Sequence, residues 1–483
     1  MSVQHTTNYE PLLDAIVSTR ATSIAKEVVH LLKNQAPPFF IIGQAGIPAA
    51  WGDSEGSPLC ALAAGGHLAD WARSIPASAE SATDENRLIA AALPLTQALV
   101  LAAPAVKAGH KSHATLSDPI FPANITHGGS MLGALKEAVS KGQTERTIKL
   151  LLGYYATGTD YRSYLANVYQ AFIEHDTGDG RTLIYIHRSS QVLDMAGWAD
   201  KLPPFIHWLT PHLATTDAQP AFVAEVQAFL SAQEHSLDFL RTRLSPAKNT
   251  AADAKLLQTI LQGSLEDTCN AIFAALKEGA HGPAVGSVIA LAAARRYLDA
   301  PESDSRELAR HGVLLAGAAR TAVAQLQEVE VLPLLFLVAA AINTNRPGEQ
   351  SEAQKRASSA ARAASGTLAG GLIASSLLRS LERQLEDGEE AAAEISARRY
   401  LQQGHPARGL VATIASVASQ GDATSDQGQT LLLTLAAGEE YLALPPHLHT
   451  SEGEALLSVA IRAAIQRPQE RTVAEAVRTA AQA

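Results

Sequence analysis

Apolar residues recur along this chain at steps of three and four, in stretches long enough for helices and too long for strands. Two stretches carry the same pattern without a gap. Gly158-x-x-x-Arg162-x-x-Leu165-x-x-Val168 aligns with Gly404-x-x-x-Arg408-x-x-Val411-x-x-Ile414. Such spacing gathers apolar side chains into one stripe that a helix must bury. Strand signals are sparse. Pro37–Ile42 and Leu183–Ile186 are apolar enough for strands, but neither has a partner across a hairpin turn, so both read as helical or irregular. The most lipid-like segments, Leu88–Val106 and Val331–Ile342, read as buried core helices: the first carries Pro94, Thr96, Gln97 and Pro104, and the second is too short for a bilayer.

The pattern also recurs on a longer scale. Four segments open alike, at Leu12-Leu13-Asp14-Ala15-Ile16, Met131-Leu132-Gly133-Ala134-Leu135, Leu256-Leu257-Gln258-Thr259-Ile260 and Leu377-Leu378-Arg379-Ser380-Leu381. Further along each lies an aspartate, Asp53, Asp176, Asp299 and Asp422, spaced 123 residues apart. A polar turn follows, and then a leucine opening another apolar helix, at Leu59, Leu183, Leu308 and Leu431. These anchors predict an all-α fold of about four tandem, diverged helical repeats over 1–110, 111–245, 246–365 and 366–483, forming a compact array or solenoid. The aspartates are expected at equivalent helix ends or interhelical turns, where a carboxylate can accept backbone N–H bonds of the helix that follows. Ala77–Glu85, Ser245–Ala251, Asn345–Glu352 and Gly421–Gly428 read as flexible links.

Composition sharpens this picture. Hydrophobic residues make up 47% of the 483, much of them alanine, and aromatics only 5%. Alanine loses no side-chain entropy in a helix and lets helices approach closely. A net charge of −10 with no Lys/Arg block speaks against a nucleic-acid partner. Cys60 and Cys269 are too few for a disulfide framework or a cysteine zinc site. No signal-peptide pattern opens the chain and no segment reads as a membrane span, so a cytoplasmic location is expected.

Motifs exclude more than they assign. There is no Walker loop, no G-x-G-x-x-G after a strand, no G-x-S-x-G, no H-E-x-x-H and no C-x-x-C. One Glu-x-x-His occurs, Glu27 to His30, but a carboxylate-bridged di-iron bundle needs two, so His30 reads as an ordinary helix residue. The histidines are uneven. Eight of sixteen fall between His110 and His235, in and around the second segment: His110, His113, His127, His175, His187, His207, His212 and His235. At the position of His187 the other segments offer Ala63, His311 and Leu435. Imidazole is both a metal ligand and a general base, and helical bundles build metal sites from several helices at once. The candidate ligands are therefore His127 and His187, helped by His113 and by His175 or Asp176 at the end of the intervening helix. Each of these histidines taken alone is as readily a hydrogen-bonded or exposed residue. His207 and His212, beside Trp208, read as loop or pocket-wall residues. Six of ten tyrosines share the region and suit either an aromatic pocket or the core.

The stretch His127-x-x-x-x-Leu132-x-Ala134-Leu135 followed by Glu174-His175-Asp176-x-x-x-Gly180 and His187 resembles the questin oxidase-like helical proteins. It is also similar to Ala-rich bacterial proteins that accompany Rieske iron–sulfur domains. The resemblance implies a non-haem iron oxygenase acting on an aromatic or polyketide-type small molecule, with iron held mainly by histidines and a redox protein or second copy as partner. An early His-x-His-x-x-His motif and a late lysine of such enzymes have no counterpart, since only His67 is nearby and no lysine follows Lys355. A non-catalytic helical scaffold for a protein partner and a metal-free enzyme with a histidine base are the alternatives.

Overall fold

A computed structural model describes residues 8–75, 83–111, 116–125, 130–176, 180–232, 240–241, 254–301, 304–345, 374–445, 448–449 and 452–483. Among the described residues the regular structure is 22 α-helices with short 3₁₀ turns and no β-sheet. Local chemistry explains many of the ends. Ser130 and Asp160 accept backbone N–H bonds at the starts of their helices, and Ser264 with Asp267 forms a capping box. Proline opens several others, where its missing N–H would have had no partner.

The expected boundaries sort these helices into four groups. The first holds α1 (Glu10–Val17), α2 (Ala21–Lys33), α3 (Pro38–Gly52), α4 (Ser57–Ala72) and α5 (Thr83–His110). The second holds α6 (Met131–Ser140), α7 (Thr144–Ala156), α8 (Tyr161–Glu174), α9 (Arg181–Ala196), α10 (Leu202–Leu213) and α11 (Ala221–Ala232). The third holds α12 (Ala254–Gln262), α13 (Leu265–Glu278), α14 (Gly282–Asp299), α15 (Asp304–Leu326) and α16 (Pro333–Thr344). The fourth holds α17 (Ala374–Glu386), α18 (Glu390–Gln402), α19 (Ala407–Ala418), α20 (Gln429–Leu442), α21 (Glu454–Ile465) and α22 (Thr472–Gln482). In every group the first helix packs on the second, the third on the fourth, the fourth on the fifth, and the second on the fifth. Pro37–Ile42 and Leu183–Ile186 lie in or lead into helices, α3 and α9.

The groups close on one another. Consecutive groups pack, and the first also packs on the fourth through α2 and α5 against α22 and α4 against α19 and α20. An open solenoid would keep its ends apart, and these ends meet. The four fourth helices touch in cyclic order, α4 on α9, α9 on α15, α15 on α20 and α20 on α4. One continuous apolar core runs through all four groups. Helix α5 is long and apolar enough to cross a membrane, but its most apolar stretch is largely buried inside the fold. Its tight seat on α3 depends on small residues: a Cβ on Gly52 would lie 2.0 Å from the Ala105 carbonyl oxygen.

Three expectations need correction. Asp53 does cap the following helix, accepting from the backbone N–H of Glu55, Gly56 and Leu59. Asp422 instead accepts from Thr472 and Val473 at the start of α22, while Asp426 caps α20. Asp299, the last residue of α14, is at a helix end as expected. Leu308 is 50% exposed, whereas Leu59, Leu183 and Leu431 are buried. Helix α15 starts about two turns early, and the buried Val313 takes the place assigned to Leu308. Gly421–Gly428 is pinned rather than loose: the Gln97 side chain donates to the Ser419 carbonyl and accepts from the Ala423 N–H, and the Asp422 N–H donates to the Glu470 carbonyl.

Candidate functional site

Three of the four central helices share an entry device. Gly56, Gly180 and Gly428 each stand at the N-cap, three residues before Leu59, Leu183 and Leu431, with φ of 89°, 67° and 76°. Side-chain-bearing residues resist that left-handed conformation. Each also admits a neighbour. A Cβ on Gly56 would meet the Tyr185 ring of α9 at 2.3 Å, and one on Gly180 would meet Leu315 of α15 at 2.5 Å. One on Gly428 would meet Leu101 of α5 at 3.0 Å and Ala61 of α4 at 3.2 Å. Counted from Leu59, Leu183 and Val313, the residues Ala61, Tyr185 and Leu315 all fall two positions on. The start of one central helix thus seats on the same level of the next around the ring.

Six positions beyond that level the ring carries polar side chains. Eight residues on from Leu59, Leu183, Val313 and Leu431 stand His67, Gln191, Thr321 and Glu439. Helices α9 and α20 sit diagonally and do not pack closely, yet side chains bridge them. Arg188 Nη1 donates to Glu439 Oε2 at 2.9 Å and to Gln191 Oε1 at 2.7 Å, and Gln191 Nε2 donates to Glu439 Oε1 at 2.8 Å. Beside this triad Arg320 Nε donates to both oxygens of Glu440, at 2.8 and 2.7 Å. Arg188 and Glu440 are each 1% exposed, while the Glu439 side chain keeps 19% of its surface open to water. Removing one member of such a buried pair costs about 3–5 kcal/mol, because the other is left charged and alone.

The unusual feature is what remains unpaired. Among the described residues Arg188 Nε and Nη2 have no hydrogen-bond partner, and neither do Nδ1 and Nε2 of the buried His187. An orphaned buried donor costs about 1–3 kcal/mol; single atoms of this kind occur elsewhere among the described residues, and here four gather on two consecutive residues of α9. The other central helices offer Ala63, Gly317 and Leu435 at the level of His187, none of which has a polar side chain to offer it.

Electrostatics keep both ring histidines neutral. Burial, with Arg188 adding to it, lowers His187 to about 3. Burial lowers His67 as well, against the pull of Glu439. Burial alone would raise Glu439, but Arg188 and then the histidines outweigh it and bring the carboxyl down to about 2. Burial lifts the Cys60 thiol to about 12 in spite of Arg188, so it is not a nucleophile. Burial opposes the charge of Arg320, and Glu440 more than restores it.

Of the residues expected from sequence, His187 lies within this cluster, where the charges of Arg188, Glu439 and Arg320 reach it. His175 and Asp176 end α8. There the His175 ring meets the Thr215 carbonyl through Nε2 at 2.8 Å, and Asp176 is buried with a partner of its own. His113 and His127 lie outside the described residues. His207 and His212 belong to helix α10 rather than a loop, against Trp51 and against Tyr185 and Trp208 respectively. His30 is a surface helix residue touching Asn34. With Val313 as anchor, the third-segment counterpart of His187 is Gly317, not His311.

Arg188, Gln191, Arg320, Glu439, Glu440 and His67 were not singled out from sequence. A signal for them existed. Counting eight residues from three of the correct anchors lands on His67, Gln191 and Glu439, and Arg188 and Arg320 interrupt otherwise apolar or small-residue helices. The misplaced anchor at Leu308 hid Thr321.

An iron centre of the kind the resemblance implies does not fit the described donors. Among them no three His, Cys, Asp or Glu side chains gather closely enough to hold a metal. The carboxylates of the cluster, Glu439 and Glu440, each accept from a guanidinium instead. Comparison of the chain with protein-family models, with curated proteins and with solved structures finds no match.

Proposed function

We propose that the four segments are diverged copies of one helical unit closed into a ring, and that the ring's axis is an enzyme site for a small acceptor-bearing molecule. The repeat reading is supported by the recurring helix contacts, the three entry glycines and the polar side chain eight residues beyond the buried anchor of each central helix. One observation carries the functional reading. His187 is buried with both ring nitrogens unpartnered, next to an Arg188 with two donors to spare. Pockets for small molecules combine apolar walls with a few convergent polar groups of this sort. The neutral His187 imidazole takes a proton from the bound molecule, and Arg188 stabilises negative charge left on its oxygen. Burial and Arg188 hold His187 at low basicity in the free protein, and an anionic ligand beside it raises that basicity.

Filling the axis tests this. Ala63→Phe and Gly317→Leu place bulk at the level of His187, and a compound panel is screened by thermal shift. Ligands that stabilise the parent chain and lose their effect in both variants support the site. Ligands indifferent to both variants overturn it.

The iron oxygenase is a second reading, favoured by the neutral state of His187, which metal ligation requires. It needs His113 and His127 as further ligands. Near-stoichiometric iron in untagged protein, lost in His187→Ala, would replace the first reading with this one.

A further inference from the structure

We infer that the molecule held at the ring axis carries a carboxylate, seated side-on against Nε and Nη2 of Arg188. The inference rests on the axial-site reading above and adds the ligand's chemical class.

The guanidinium is planar, with its N–H groups in fixed directions. One nitrogen, Nη1, is spent on Gln191 and Glu439. The two left over, Nε and Nη2, are those of the guanidinium's side edge, whose N–H bonds run parallel. Two parallel donors match the two oxygens of a carboxylate, and such forked pairs are stronger and more selective than single contacts. The fork is also held in place. Gln191 and Glu439 bond to each other as well as to Arg188, so the free edge loses little freedom when a ligand arrives. Arg320, the other central guanidinium, gives its Nε to both oxygens of Glu440 and its Nη2 to Thr321. Arg188 is therefore the group at the axis that offers an intact fork.

Calorimetric titration of the full chain with acetate, benzoate, benzamide and inorganic phosphate tests the assignment. Acetate or benzoate is expected to bind saturably, with benzamide and phosphate at least tenfold weaker. Arg188→Lys keeps the charge and loses the fork, and is expected to weaken the carboxylate tenfold or more. Glu439→Gln keeps the fork and removes the competing negative charge, so it is expected to bind the carboxylate more tightly than the parent chain does. A purely structural role for Arg188 gives no such gain. Benzamide binding as well as benzoate, or carboxylate binding unchanged in Arg188→Lys and Glu439→Gln, overturns the carboxylate while leaving the axial site standing. Preferential phosphate binding overturns it too. No saturable binding by any of the four compounds overturns the carboxylate, and the axial site is then judged by the filling variants.

Discussion

Arg188 on α9 and Glu439 on α20 meet at 2.9 Å across the middle of the ring, joining two helices that do not pack closely. This pair is where architecture and candidate chemistry coincide. It holds one side of the guanidinium and leaves the other free. Because Arg188 is wholly taken from water and Glu439 largely so, breaking the pair should cost far more than losing a surface ion pair. Arg188→Met alone is expected to destabilise the chain by about 3–5 kcal/mol in urea unfolding. Arg188→Met with Glu439→Leu is expected to regain most of that loss. Equal loss in the single and double variants would show that the pair's partners, not its charges, matter.

The neutral histidines make a pH prediction. The fully exposed imidazole titrates near 6.5, and folding lowers His187 to about 3. Between those values the unfolded chain binds the extra proton, so stability is complete above pH 6.5 and falls as pH drops toward 3. Glu439 acts in the same direction over a lower window, from 4.5 down to about 2. Chemical unfolding at stepped pH should thus show stability declining from pH 6.5 downward. His187→Gln should flatten the part between pH 6.5 and 4.5, with a further flattening in His67→Gln/His187→Gln. An unchanged slope in both variants would mean that these imidazoles are not buried neutral.

The entry glycines separate two causes of strain. Gly158 and Gly180 both have positive φ, but a Cβ on Gly158 meets nothing within 4 Å while one on Gly180 meets Leu315 at 2.5 Å. Gly158→Ala should cost about 1 kcal/mol, from backbone conformation alone. Gly180→Ala should cost clearly more, and adding Leu315→Ala should recover part of the difference. Equal costs for the two glycines would argue that α9 does not seat on α15.

Much of the fold was legible because helical periodicity and small-residue composition are local signals. The ungapped match at Gly158 and Gly404 is a case in point. Both glycines have positive φ in the loop before the third helix of their group, and Leu165, Val168, Val411 and Ile414 are all buried. Register in the third group was not legible. Leu308 sits in an apolar-looking stretch, but α15 overhangs the ring by two turns there, and only three-dimensional packing tells an overhang from a core turn. The bridge was less legible still. Residues 188 and 439 lie 251 apart, and a charge pair at that separation leaves no local trace. His187 stood out as a candidate because histidine is scarcer in the other groups, whereas its neighbours read as ordinary helix residues.

The register correction has its own test. Leu308→Ser, at an exposed site, should change stability by no more than about 0.5 kcal/mol. Val313→Ala should cost about 2 kcal/mol through lost burial and the cavity it leaves. The opposite order would restore Leu308 as the anchor and move Thr321 off the ring's polar level.

The account turns on whether the ring axis receives a ligand, and anomalous X-ray diffraction from crystals grown with 4-bromobenzoate tests this most directly. The expected result is a bromine peak inside the ring formed by α4, α9, α15 and α20, close to His187, with the carboxylate against Nε and Nη2 of Arg188. Bromine sites confined to the outer surface, with ordered water alone on that edge of Arg188, would contradict it.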